Sequence, residues 1–391
     1  MPNERLTRVR VRGYRCLADA SFEPAGRGVT VVVGGNGSGK SSLLDAVGLV
    51  GDLLRVGGAA FRRELRGNAN DQSDAFRFLV SSFGSGEIEI ALDFQVRGTE
   101  YHYAIALAAR ESYWAIARET LRGPAQTGEG EPEVLLDRDA TGARVRRSDG
   151  AGAIKLVPVL AEQQVPTVTL GADRISYPEL EVPRRFLRGL CFLRPTPVLM
   201  RGGGGGVGEF PLPYGQDATA RMVRLANEVP EHRSDFLRFM GEFVGWTKFR
   251  TPGASRVEFN EGTHPSPIAF ESASDGTVVE AWLLALALDP PEAVTVLLLD
   301  EPVAQFYRRS IQRPAELLKT LATQRQLLVA THAATLVAEV GSEDTVWVVT
   351  RRPGEGGTVR RLRDLPGSDE DVLALGLGDA AELRAEELPQ P

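Results

Sequence analysis

The sequence predicts an α/β fold: a mixed sheet covered by helices, with an antiparallel β subdomain on one flank and a mainly helical lobe inserted in the chain. Three observations carry that reading. Apolar, β-branched runs of buried-strand type recur at 29–33, 293–299, 326–330 and 345–349, with helical patterns among the last three. Residues 87–94 and 101–107 instead alternate at period two about a Gly98 turn, the pattern of a half-buried hairpin. Finally, Gly34-Gly35-Asn36-Gly37-Ser38-Gly39-Lys40-Ser41 follows the first apolar run and opens a helical stretch.

That last segment matches G-x-x-x-x-G-K-[ST] at each fixed position, in the strand–loop–helix context the motif needs. Its glycines let backbone N–H groups turn inward around a polyphosphate, and the helix N-terminus adds partial positive charge. Lys40 is then expected to reach β- and γ-phosphates, and Ser41 to hold Mg²⁺ through its hydroxyl.

Bulk composition bounds the rest. A chain of 391 residues with 42% hydrophobic and 25% charged residues is expected to form two lobes or domains of ordinary globular balance. No apolar stretch approaches the ~20 residues of a membrane span, and no apolar signal core follows the first residues, so a cytoplasmic location without membrane attachment is expected. Two cysteines, Cys16 and Cys191, make neither a disulfide framework nor a zinc site. The four histidines fall in no metal-binding pattern. Net charge is −7, so nucleic-acid binding would have to rest on local patches.

In order along the chain, residues 5–12 alternate apolar and basic side chains as a half-buried strand, and Arg8, Arg10 and Arg12 read as its solvated face. Asp19 to Pro24 reads as a second, edge strand. Residues 52–83 read as helix plus loop, and Trp114 to Leu121 as a third strand of the flanking sheet. The stretch 122–150, rich in Gly, Pro and charge, reads as hairpins and loops. Prolines punctuate 151–265, and Gly202 to Gly206 read as a flexible linker. Asp217 is expected to N-cap one helix, and Ser234 to Val244 to form another with Phe236, Leu237, Met240 and Phe243 or Val244 on its core face. Val278 to Leu288 and Pro314 to Gln324 read as helices. The resulting division is 1–121, an inserted lobe at 122–267, 268–365, and an acidic tail at 366–391.

Three further features surround the phosphate loop. A buried strand delivers Asp300 to the sheet edge beside the loop, where its carboxylate can hold Mg²⁺. Glu301, one residue on, is placed to act as general base on a water. His332 ends the next apolar strand, where it can contact a γ-phosphate or hold the water and Glu301 in register. Ser274-Asp275-Gly276-Thr277 precedes an apolar helix and reads either as an ordinary N-cap or as a second anion cradle.

The order phosphate loop, long insertion, S-x-G-T before a helix, apolar strand with Asp300-Glu301-Pro302, and apolar strand with Thr331-His332 resembles the ABC-type ATPase heads of the SMC, RecF and OLD families, often described as AAA-family ATPases. Val9 to Arg15 with Leu17, and Tyr101-His102-Tyr103 followed by Glu119-Thr120-Leu121, are similar to the same group. The resemblance covers roughly 5–121 and 268–350. It implies a P-loop NTPase with an ABC-type head. Gly34 to Ser42 would be Walker A, with Asn36, Gly37, Ser38, Gly39, Lys40, Ser41 and Ser42 binding ATP. Asp300 and Glu301 would be Walker B, and His332 the switch histidine. Ser274 and Gly276 would lie in a signature that acts on ATP held by a second copy. A glutamine loop is also implied, with Gln72, Gln95 and Gln163 as candidates.

The resemblance implies ATP and Mg²⁺ as cofactors and a head-to-tail homodimer or larger assembly. It also implies a DNA-linked role, in repair or in an anti-phage complex with a separate nuclease or toxin as effector, with DNA itself a candidate partner. Two departures stand out. Val303 to Arg309 replaces the acidic and Leu-His-Pro continuation common in the group, and no long heptad run supplies a coiled coil. Arg184, Arg185, Arg188, Arg194 and Arg201 are a candidate nucleic-acid patch, with solvated surface as the simpler reading. A regulatory module that binds ATP with negligible turnover is the alternative from another class. A transporter subunit would need an L-S-G-G-Q signature, which the sequence lacks.

Overall fold

A computed structural model describes residues 4–62, 76–84, 86–110, 113–124, 131–146, 154–157, 164–202, 205–228, 230–252, 256–262, 265–306, 310–342, 345–352, 354–367, 379–380 and 383. The chain opens with strands β1 (Glu4–Tyr14), β2 (Leu17–Phe22) and β3 (Val29–Val33), then helix α1 (Lys40–Val56). Strands β4 (Glu87–Val96), β5 (Thr99–Ala109), β6 (Trp114–Gly123), β7 (Glu133–Arg138), β8 (Ala143–Arg146) and β9 (Ile154–Val157) follow. Next come α2 (Pro178–Arg188), β10 (Leu190–Leu193), α3 (Pro197–Arg201), α4 (Ala218–Asn227), α5 (Pro230–Val244) and the short strands β11 (Trp246–Arg250), β12 (Glu258–Glu261) and β13 (Ile268–Ala269). The C-terminal part holds α6 (Asp275–Leu288), β14 (Val296–Asp300), α7 (Gln312–Gln324), β15 (Gln326–Ala330), α8 (Ala334–Val340), β16 (Val346–Thr350) and β17 (Thr358–Arg361).

The apolar runs form one six-stranded sheet in the order β10-β14-β15-β3-β16-β17, parallel except for the last pair. Side chains alternate between its two faces, as strand pleating requires. Val29, Val31, Leu297, Leu299, Leu327 and Val329 enter the core that also holds apolar residues of α4 to α8. Val32, Leu298, Leu328 and Ala330 enter the opposite core, shared with α1 and the antiparallel sheet. Both faces are therefore covered, which is why these strands read as continuous apolar runs.

The second sheet has eight antiparallel strands in the order β2-β1-β4-β5-β6-β7-β8-β9. In β4 the odd-even pattern of the sequence is the burial pattern: Ile88, Ile90, Leu92, Phe94 and Val96 are buried and their neighbours half-exposed. Arg10 and Arg12 lie on the outer face of β1 and pair with Asp19 and Glu89, the solvated face expected of them. The hairpins expected within 122–150 are not separate from this sheet: β7 and β8 continue it, and β9 closes it at Val157.

Residues 122–267 are thus shared among three places. The first part extends the antiparallel sheet, β10 is the edge strand of the parallel sheet, and only the remainder builds α3 to α5 and the small β11-β12-β13 sheet. The reason is local. Leu190–Leu193 is a four-residue apolar strand between prolines, too short to announce itself, yet fully buried beside β14. It packs so close to α1 that a Cβ on Gly51 would sit 2.2 Å from the Leu190 carbonyl oxygen.

Smaller differences have equally local causes. α5 starts at Pro230 rather than Ser234, since proline suits the first helical turn. Leu237 on that helix is exposed while Phe236 and Met240 are buried; the side chain of Phe243 lies outside the described residues. Asp217 does precede α4, but its carboxylate accepts a hydrogen bond from Arg221 Nε at 2.6 Å and caps no backbone N–H. Most of the expected acidic tail, and Gly203 and Gly204 of the expected linker, lie outside the described residues.

Two polar devices fix the sheets to their surroundings. Gln326 Oε1 accepts the Leu6 N–H at 2.7 Å, while its Nε2 donates to the Leu6 and Ala25 carbonyls, joining β15 to β1. In the antiparallel sheet, buried Glu119 accepts from the backbone N–H groups of Thr167 and Val168 and from the Tyr103 hydroxyl, beside Arg138. Burial holds the Glu119 carboxyl above its ordinary value, a rise that the Thr167 and Val168 N–H groups and Arg138 only partly offset. The Tyr-His-Tyr and Glu-Thr-Leu segments flagged in sequence thus include a buried anchor for the 167–172 turn.

Candidate active site at the edge of the parallel sheet

All the parallel strands end at one edge, and the phosphate loop lies there between β3 and α1. Gly37 has φ of +73° and Gly39, the residue before α1, has φ of +118°, conformations costly for a side chain. Gly34 is confined further: a Cβ there would lie 2.3 Å from the Val349 carbonyl oxygen and 2.6 Å from Ser38 Oγ. The loop is therefore closed against β16 on one side and open toward the strand ends on the other. Lys40 is buried and donates from Nζ to the carbonyls of Gly34 at 2.8 Å and Gly35 at 3.2 Å. Burial pulls its ammonium down from the ordinary value, while Glu301 and Asp300 act in the opposite direction.

The late acidic residues arrive at the same place. β14 stops at Asp300, whose carboxylate is fully buried, and Ser41 donates from Oγ to Asp300 Oδ1 at 2.8 Å. These two residues are 259 positions apart in sequence. Glu301 sits just beyond, with φ of +50°, a left-handed conformation that costs a non-glycine residue about 1–3 kcal/mol and clusters at functional sites. Its N–H donates to the Ala330 carbonyl at 2.9 Å, which holds the kink against β15.

β15 also stops early, at Ala330. Thr331 is fully buried and donates its N–H to the Val32 carbonyl, so the following His332 projects over the edge. His332 Nδ1 lies 3.0 Å from Glu301 Oε1. A carboxylate only accepts, so that nitrogen carries the proton and Nε2 is left to face outward. Lys40, Ser41, Asp300, Glu301 and His332 are thereby gathered around one loop. A hard hydroxyl and carboxylate oxygen so close together suit Mg²⁺, which is held through one or two carboxylates plus substrate phosphates.

One member of this cluster was not expected. Arg194, the first residue past β10, donates from Nε to Asp300 Oδ2 at 2.7 Å and also touches that oxygen through Nη2. Its partner strand is β14, with Leu193 opposite Leu299, so the register sets Arg194 beside Asp300. The other arginines of the supposed nucleic-acid patch are dispersed as well: Arg185 pairs with Glu4, Arg188 with Glu209 and Arg201 with Asp275. Four of the five thus serve ion pairs at different points of the fold. The signal for Arg194, a short apolar strand ending in Arg-Pro, was too weak to tell from surface.

Of the glutamine-loop candidates, Gln95 is at the far end of β4, where it accepts from Arg5 and donates to Gly98, with no contact to the phosphate loop. Gln72 and Gln163 lie outside the described residues, as do Tyr307 to Arg309 of the unusual stretch after Glu301. Ser274 N-caps α6, accepting from the Thr277 N–H at 3.3 Å, and Gly276 faces Phe306. Among the described residues, no hydrogen bond joins Ser274 or Gly276 to the phosphate loop. Arg201 fixes this corner by donating to the Ala273 carbonyl and to Asp275. A cavity of about 550 Å³ opens at the opposite edge of the sheet, lined by Arg5, Arg27, Gln95 and Lys319 among others, away from this cluster. No described helix is long and apolar enough to cross a membrane.

Comparison with known proteins agrees with this architecture. A family model described as "AAA domain" matches residues 8–103, which run from β1 through the phosphate loop into β5. Among solved structures, an SMC head bound to the C-winged helix domain of ScpA is 14% identical, covering 91% of this chain and 96% of that one with a TM-score of 0.50. The SMC head domain of Thermotoga maritima is 17% identical, with 91% and 98% coverage and a TM-score of 0.45. An SMC head with an extended coiled coil, bound to a ScpA domain and derived from Pyrococcus furiosus, is 13% identical over 95% and 100% at a TM-score of 0.47. No curated protein matches the chain in sequence. A model of the AAA domain matches within residues 8–103, and the chain has the fold of SMC head domains.

Proposed function

We propose that this chain binds and hydrolyses ATP, and that two copies pair head to tail around it. The observation that supports this most directly is the meeting of Ser41 with Asp300, and of Glu301 with His332, at one loop. In this reading the triphosphate lies along the backbone N–H groups of residues 36–42, and Lys40 exchanges the Gly34 and Gly35 carbonyls for phosphate oxygens. Ser41 and Asp300 would hold Mg²⁺, which when bound would supply positive charge against the triphosphate. Glu301 takes a proton from the water that attacks the γ-phosphorus while the bond to the bridging oxygen breaks. His332 fixes the Glu301 carboxylate through Nδ1 and offers Nε2 to the γ-phosphate side.

Ser274 and Gly276, at the exposed start of α6, supply the second copy's contact to the same γ-phosphate. ATP then joins two heads and its hydrolysis releases them. The likeness to an SMC head that is bound to the C-winged helix domain of ScpA supports a further protein partner. We further propose a cytoplasmic, DNA-linked setting, in repair or in anti-phage defence with a separate effector.

Phosphate release under single-turnover conditions tests the core of this reading. Wild-type protein is expected to turn over ATP, Lys40→Ala to lose nucleotide binding, and Glu301→Gln to keep binding while slowing release by about 10²–10⁴-fold. Equal release by wild type and Glu301→Gln would leave a nucleotide-binding module whose chemistry does not run through Glu301.

A further inference from the structure

We propose that Arg194 is a tethered counter-ion for Asp300, and that a divalent cation binds at Ser41 and Asp300 only by displacing it. The inference rests on the ATP-binding reading above and concerns how the metal seat is guarded. Asp300 is fully buried, and a buried carboxylate is costly unless charge-paired and hydrogen-bonded. Both needs are met: Ser41 donates to Oδ1, and Arg194 donates to Oδ2. The second oxygen is therefore taken by a positive charge from this chain.

The tether and the mobile part are distinct. The Arg194 N–H donates to the Pro213 carbonyl at 2.7 Å, and β10 anchors the residue before it, so the backbone is held. Its side chain is 45% exposed, so the guanidinium can leave Asp300 for solvent without unpacking a core. Lys40 lies within electrostatic reach of Asp300 and Glu301, and among the described residues no hydrogen bond joins Arg194 to Glu301. A dication at the same carboxylate would repel the guanidinium. Metal entry and arginine departure are thus one exchange. Arg194 holds the Asp300 carboxylate in place between nucleotides, at the expense of metal affinity.

Titration of Mg²⁺ into protein with trinitrophenyl-ATP, followed by the fluorescence of the bound nucleotide, tests the exchange. The half-saturating Mg²⁺ concentration is expected to fall about tenfold in Arg194→Ala, with Arg194→Lys between it and wild type. In EDTA without nucleotide, Arg194→Ala is expected to melt below wild type, and Mg²⁺ with ATP to close the gap. If Arg194→Ala does not fold, the Lys variant carries the same comparison. An unchanged or higher half-saturating Mg²⁺ in the variants overturns the proposal, and makes Arg194 a plain structural contact or a helper of the metal. Absence of any Lys40-dependent nucleotide signal in wild type refutes the ATP-binding reading instead, and the exchange with it.

Discussion

At the strand ends, Lys40, Ser41, Asp300, Glu301 and His332 bond to one another or to the loop that they share. At the start of α6, the Ser274 hydroxyl bonds the Thr277 hydroxyl and N–H, and Asp275 accepts from Arg201. The first region is assembled from segments hundreds of residues apart and leaves its catalytic-type groups oriented by neighbours. The second is a short, exposed corner whose polar groups are satisfied within one helical turn and by Arg201. A site whose parts already orient each other can do chemistry on what it holds. A capped, outward-facing helix start can contribute only to something brought to it. That contrast is the physical support for dividing the ATP machinery between two copies.

The strongest way to break the comparison is to give α6 a cap that the phosphate would reject. Aspartate caps helices as well as serine does, so Ser274→Asp is expected to keep stability within about 0.5 kcal/mol. Its carboxylate would meet the γ-phosphate of the partner copy's ATP, and turnover at saturating ATP and protein is expected to fall about 100-fold. Nucleotide affinity of dilute, monomeric protein should stay within about twofold, because the variant's own phosphate loop is untouched. Unchanged turnover at high protein concentration would reduce Ser274 to a cap and remove the support for a shared site.

What the sequence made legible follows the same division. The phosphate loop and the Asp-Glu and His strand ends were readable because each is a local necessity: a glycine where φ is positive, an apolar run where both faces are buried. Their convergence needed only the rule that parallel strands end at one edge. Arg194 was not readable, since its role depends on β10 lying beside β14, and four residues between prolines do not reveal which sheet they join. The stretch 122–150 reads as hairpins and loops, but antiparallel pairing beyond β6 is a tertiary choice that turn residues do not encode. Glu119 was noticed for its neighbours, while its work of docking the 167–172 turn required the fold.

Further along α6 the contrast turns on burial rather than exposure. The helix is buried from Val278 to Ala287, and Glu280 lies among those residues with Oε1 lacking a hydrogen-bond partner among the described residues. Burial raises its carboxyl from the ordinary 4.5 to about 7, with Arg313 opposing. The raised value fixes the sign. Below about pH 4.5 Glu280 is protonated in both folded and unfolded chains and costs nothing by ionisation. Between there and about pH 7 the unfolded chain gives up the proton first, so its penalty on the fold grows with pH, and above pH 7 it is fully developed. Glu280→Gln is therefore expected to gain stability on wild type as pH rises, by roughly 2 kcal/mol at pH 8 and by little near pH 4.5. Urea unfolding at several pH values reads this directly, and a pH-independent difference would mean that the carboxyl is not buried in its charged form.

The smallest expected effect returns to the closed edge and asks how much orientation alone contributes. His332 is 62% exposed, whereas Glu301 is 25% exposed and already kinked toward the loop by its backbone. If the histidine mainly steadies Glu301, its loss should slow turnover without abolishing it. His332→Asn keeps a donor but removes the outward nitrogen, and His332→Ala removes both. Turnover is expected to fall about tenfold in Ala and by less in Asn, with ATP affinity nearly unchanged in each. A loss as deep as that of Glu301→Gln would instead assign His332 a direct contact with the γ-phosphate in the transition state. The edge would then owe its activity to the group most open to a second copy, and the line between a finished region and an unfinished one would have to be redrawn through Glu301 and His332.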